Sequence, residues 1–335
     1  MRLTRDLLIG SARTTAEEMQ IQHDDLVCVY LTGSVQEEEP LIGGTTDIDL
    51  ICVHSIHAPT AREILPLGEN CHLDIAHYTQ SQYGKSKTLR LNPWLGSFLC
   101  YKPLVLFDSQ HWFEYTQAGV SAQFLQPGVV GQRVEPFIKE ARQLWLELSQ
   151  NQAEPDVDNL WKYLKSLESA GNALACLVGV PMTERRFITD LPARCEALER
   201  PGLAAGLVDL YQPMDEMEYP WEIWIQEWRA CLLAANTKKN FPVRVHSLRI
   251  PYYEKAIQST LADNKAQALW ILLRTWTTAA AQFAKRSPET ESWRKCKQAI
   301  QLGKEHFSNR LQALDVYLEA VEETISNWRM QNGAE

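Results

Sequence analysis

Asp47 and Asp49 flank Ile48 in the stretch TTDIDLICV, residues 45–53. Alternate residues of a strand point to one face, so the two carboxylates would project together. Two anionic groups converging on one spot repel each other, and a cation between them removes that repulsion. Oxygen-only ligation of this kind suits a hard divalent ion, Mg²⁺ above others. A third acid follows in CHLDIAHY, residues 71–78, where Asp74 sits between Leu73 and Ile75. A neighbouring strand would carry it beside the first pair. Upstream, the apolar run DDLVCVYL leads to Gly33-Ser34. Gly33 has no side chain and lets the backbone approach a phosphate closely, while Ser34 offers an N–H and a hydroxyl to it. Three acids, bound metal and a small turn outline a phosphoryl-transfer site. His72 and His77 are expected on the opposite side of the strand from Asp74, as packed or exposed histidines rather than ligands.

These residues need a sheet to hold them. The pattern predicts a helix within residues 1–22, capped at Thr14 or Thr15, then a strand over 26–32. The turn Gly33-Ser34 and a Gly43-Gly44 break precede a strand over 47–53. A short helix is expected over 59–67, a strand over 71–78, a helix from about Pro93 and a strand over 104–107. The fold class is therefore α/β, a mixed sheet of four or five strands with helices. Beyond Ser109 strand signals nearly vanish. Helical spacing is clear at Leu160, Leu164, Leu167 and Leu174, and again at Leu311, Leu314, Leu318, Val321 and Ile325. Proline and glycine breakers between such runs predict an all-helical C-terminal bundle of six or more helices. The division is drawn as residues 1–110 and 111–335. Most of the eleven tryptophans fall in the second part, and their helical spacing assigns them to its core.

The chain has 335 residues and a net charge of −9. An acidic balance disfavours sequence-independent binding of long nucleic acids, which depends on basic surfaces. No apolar stretch approaches the ~20 residues that span a bilayer. With no signal-peptide pattern either, a cytoplasmic protein is expected. Eight scattered cysteines without metal-like spacing read as reduced core thiols.

Gly33-Ser34, a spacer, Asp47-Ile48-Asp49 and the later strand acid Asp74 resemble the DNA polymerase β-type nucleotidyltransferase superfamily, its minimal and aminoglycoside-modifying members in particular. The resemblance covers about the first 110 residues. It implies transfer of a nucleoside monophosphate, AMP from ATP foremost, to an acceptor hydroxyl of a small molecule with release of pyrophosphate. Asp47, Asp49 and Asp74 would hold two Mg²⁺ ions, with Asp74 as the alternative general base. Gly33, Ser34 and Thr46 would contact the nucleotide, and the helical domain would select the acceptor. Lys85, Lys87 and Arg90 are either a basic cluster for the triphosphate or a solvated loop. Glu184, Arg185 and Arg186 are either acceptor contacts or the charged first turn of a helix, and Glu168 is a lesser candidate for contacting a cationic acceptor. The competing readings are a nucleotide-binding regulator of antitoxin-like type with little turnover, a transferase acting on protein or RNA, and tryptophan-mediated homodimerisation. No other catalytic or nucleotide-binding motif is present.

Overall fold

The computed structural model describes residues 3–150, 154–213 and 218–334. The chain is mixed α/β and mostly helical, with one five-stranded sheet and thirteen α-helices among the described residues. It divides into two compact units, Met1–Val129 and Val130–Glu335.

The first unit is built on the strands β1 (Leu26–Thr32), β2 (Thr46–His54), β3 (Arg62–Gly68), β4 (Cys71–Thr79) and β5 (Leu104–Asp108). Their order across the sheet is β3-β4-β2-β1-β5. β2 and β4 run parallel, and the other pairs are antiparallel. The central strands are apolar on both faces because both faces are covered. One is packed by α1 (Arg5–Gln22), whose Leu8, Ala12, Ala16 and Met19 meet Val29, Leu31, Ile48, Leu50, Leu73 and Ile75. The other is packed by α2 (Ser86–Leu91), α3 (Leu95–Cys100) and α4 (Trp112–Phe124), through Leu89, Leu95, Leu99, Phe113, Val120 and Phe124 on Tyr30, Ile51 and Val53. Arg90 joins α2 to α4 by donating to the carbonyls of Val120 and Gly119. Lys85 and Lys87 are exposed.

Three expectations are corrected. α1 begins at Arg5, with Thr4 as its cap (Leu7 N–H to Thr4 Oγ1, 3.4 Å), so Thr14 and Thr15 lie inside the helix. The segment expected as a helix over 59–67 is instead the edge strand β3. Helix-forming residues there yield to pairing with β4 across a two-residue turn, and Pro66 is tolerated because an edge strand need not donate on its outer side. Third, His72 stands two residues from Asp74, an even spacing, so it shares the face of the acids. Only His77, three residues on, faces the other way.

The second unit has no strand among its described residues. α5 (Pro127–Gln150) leads into it, and α6 (Val157–Val178) and α11 (Lys265–Ala280) are buried nearly all round. Around them lie α7 (Phe187–Ala197), α8 (Gly202–Tyr211), α9 (Trp221–Ala235), α10 (Ile250–Thr260), α12 (Glu291–Ala299) and α13 (Lys304–Asn332). Trp224, Trp228, Trp270, Trp276 and Trp293 are core side chains. No helix among the described residues is long and apolar enough to cross a membrane.

Glu168 of α6 has its cation within the chain. Arg274 of α11 donates to its carboxylate, with Arg244 at 3.6 Å and Lys165 at 3.8 Å. Burial would raise its pKa, but these cations outweigh burial and hold it at about 2. Glu184 sits 3.5 Å from Arg244 and 3.9 Å from Arg274. At that looser range burial wins and its pKa is raised. Arg185 lies over the ring of Tyr252, 3.6 Å from its centroid. Removing one partner of a buried ion pair leaves the other charge uncompensated. Glu168→Gln should therefore cost about 3–5 kcal/mol of unfolding free energy at pH 7, read as a lowered urea midpoint.

Candidate functional site

β2 and β4 pair in parallel register, Asp47 beside His72 and Asp49 beside Asp74. Because Ile48, Leu50, Leu73 and Ile75 are drawn to the α1 side by burial, strand alternation puts all four polar residues on the opposite face. Asp47, His72 and Asp74 are 7%, 3% and 1% exposed. Each offers a ligand atom, and these atoms lie within 4.8 Å of one another, so the triad could hold a metal ion. Asp74 also accepts a hydrogen bond from Arg62 Nε, reaching over from β3.

Asp49 is half-buried and stands outside that triad, leaning over the turn that follows β1. Its carboxylate lies where a Cβ on Gly33 would be. Gly33 has φ 79° and ψ −161°, a backbone conformation essentially reserved for glycine. The turn is tied to β2 a second time, by a hydrogen bond between the Ser34 and Thr46 hydroxyls (3.2 Å). Thr46 is fully buried and takes the strand phase of Ile48, which makes its hydroxyl a fixture for Ser34. Thr45 donates to the Ile42 carbonyl (2.9 Å), closing the approach to β2.

Thus Asp47, Asp49, Asp74, Gly33 and Ser34 come to one region of one sheet. His72 and Arg62 belong there too and were missed. His72 was legible from its even spacing to Asp74. Arg62 was not, because its segment was read as helix, and only pairing with β4 aims it at Asp74.

At the other end of the β2–β4 pair lies a histidine ladder. Asp25 Oδ1 and His54 Nδ1 are 3.1 Å apart, and His54 Nε2 shares a hydrogen bond of 2.9 Å with His77 Nδ1. Glu63 Oε1 stands 3.8 Å beyond, at His77 Nε2. The His23 ring lies edge-on, with centroids 5.3 Å from His54 and 6.3 Å from His77.

No family model matches this chain, and no curated protein matches it.

Two outcomes follow from this geometry. Gly33→Ala must abandon a glycine-only conformation and displace the Asp49 carboxylate, for a loss of order 1–3 kcal/mol in thermal or urea unfolding. At the ladder, burial, with His54 and His23 adding to it, lowers the His77 pKa from 6.5 to about 4. Between those values the unfolded chain binds the proton and the folded chain does not, so the contribution is complete above pH 6.5 and falls as pH drops toward 4. Urea midpoints at pH 7 and pH 5 should differ in that sense, and His77→Gln should shrink the difference.

Proposed function

We propose that the chain is a metal-dependent nucleotidyltransferase. It moves a nucleoside monophosphate from a nucleoside triphosphate, ATP foremost, to a hydroxyl of a small-molecule acceptor, releasing pyrophosphate. One observation carries this reading: on one face of the β2–β4 pair, Asp49 is in register with Asp74 and at the same time lies against Gly33. Strand acids and the glycine-serine turn thereby adjoin each other, as the resemblance to the DNA polymerase β-type superfamily requires.

The donor set suits a divalent ion, with Asp47, His72 and Asp74 as ligands and Asp49 beside them. When bound, the metal neutralises charge growing on the phosphate oxygens and aligns attacking and leaving oxygens. Two Mg²⁺ ions are what the resemblance implies, and a nitrogen donor is an addition to that set. Gly33 has no side chain, and the Asp49 carboxylate takes up the room one would need, which keeps the turn close to the strand acids. Ser34 supplies a hydroxyl already oriented by Thr46. Arg62 donates to one oxygen of Asp74, which supports the reading of Asp74 as a ligand beside its alternative role as general base. Selection of the acceptor by the helical unit is part of the proposal. Within that unit, Glu168 and Glu184 are engaged by Arg244 and Arg274, which counts against either as the contact to a cationic acceptor.

The test is release of pyrophosphate from ATP with a divalent metal and a panel of hydroxyl acceptors. Asp49→Asn should lower it at least about 100-fold, since charge stabilisation at phosphate is worth several kcal/mol. Its half-buried position should leave the melting temperature nearly unchanged. Tight ATP binding with no pyrophosphate from any acceptor would overturn the transferase and favour the nucleotide-binding regulator.

A further inference from the structure

We infer that His72 is a direct ligand of the site's metal, and that the site accordingly prefers a first-row divalent transition ion to Mg²⁺. This rests on the reading of Asp47 and Asp74 as metal ligands. It does not depend on which reaction the metal serves.

The argument begins with the strand pair. Asp47 and His72 are nearest neighbours across β2 and β4, and Asp74 is the next residue on the same face. A ring nitrogen and two carboxylate oxygens are thus delivered by two adjacent interior strands. Their ligand atoms lie within 4.8 Å of one another. Donors about 2.1 Å from a common ion can stand at most about 4.2 Å apart. Closure therefore needs only small side-chain rotations and no movement of the strands. All three residues are buried.

The donor chemistry then separates the ions. Mg²⁺ takes oxygen ligands, keeps several waters and demands near-ideal octahedral geometry. Imidazole nitrogen is a borderline donor that suits transition ions, whereas carboxylates serve both classes. Two carboxylates with one imidazole therefore tip the balance away from Mg²⁺. The guanidinium of Arg62 on Asp74 is the kind of outer support that ligating carboxylates have, since it fixes the carboxylate's orientation.

The experiment uses the full chain, Mn²⁺ as probe and no nucleotide, so its outcome is independent of transfer activity. Electron spin-echo modulation of Mn²⁺ bound to the protein should show coupling to a directly ligated nitrogen. Protein grown with ¹⁵N-labelled histidine should change that coupling while leaving the chain unaltered, so folding of a variant is not at issue. In competition, Mn²⁺ should bind at least about ten times more tightly than Mg²⁺, and His72→Gln should bring that ratio close to that of an oxygen-only site. Mn²⁺ bound without nitrogen coupling, no Mn²⁺ binding at all, or a ratio unchanged in a folded His72→Gln would each overturn the inference. Loss of pyrophosphate release with nitrogen coupling intact would instead overturn the proposed reaction and leave His72 as ligand.

Discussion

The parallel pairing of β2 with β4 is the constraint on which the site depends. Side chains in a strand alternate with a period of two, so one residue of slippage would carry His72 and Asp74 to the α1 face. What prevents slippage is not the polar residues but the apolar ones between them. Ile48 and Leu50 on β2, with Leu73 and Ile75 on β4, are buried against α1. Burying side chains of this size contributes about 1.5–3 kcal/mol each. A slipped register would expose several of them while forcing carboxylates into their places. The hydrophobic phase of two strands therefore decides where the acids stand, and the acids themselves contribute little to that decision.

The same phase explains what was readable from the chain and what was not. β1, β2 and β5 carry dense aliphatic runs and β4 an alternating one, and their positions were legible to within a residue or so. β3 was not, because its signal lies in its partner. Its burial is slight and unpatterned, it contains Pro66, and Ala61, Arg62 and Glu63 favour helix locally. Only the neighbouring β4, with open hydrogen-bonding groups on that side, makes a strand of it. Arg62 was invisible for that reason, since a side chain's target cannot be read before its element is known. His72 is a different case: the alternation that unites Asp47 with Asp49 also unites His72 with Asp74, so its placement on the opposite face was a miscount of an even spacing and not a missing signal.

Charged residues in apolar helices were the least legible feature. Glu168 on an otherwise buried helix face invites a functional reading, because an isolated buried carboxylate is costly. Its compensating charges come from Arg274, 106 residues further along, and from Arg244. Sequence spacing cannot reveal a partner at that separation. The contrast with Asp47 and Asp74 is instructive. Around Glu168 the nearby groups are guanidinium and ammonium ions, which complete it as a structural pair. Around Asp47 the convergent groups are another carboxylate and an imidazole, a donor set that could hold a metal ion, with the Arg62 guanidinium on Asp74 at its edge.

Gly33 shows how the two halves of the site are kept in step. A strained backbone persists only where its surroundings determine it from more than one side. Here the end of β1 fixes one flank by pairing Thr32 with Asp49, and the Ser34–Thr46 hydrogen bond fixes the other. Both anchors are on β2, on either side of Asp47 in sequence. The turn cannot shift without pulling on the strand that carries the acids, and the acids cannot shift without meeting the turn, since the Asp49 carboxylate occupies the space a side chain at position 33 would need. Glycine at this position is thus required twice, by the torsion angles of its own backbone and by the closeness of its neighbour. A turn that merely reversed the chain would need neither.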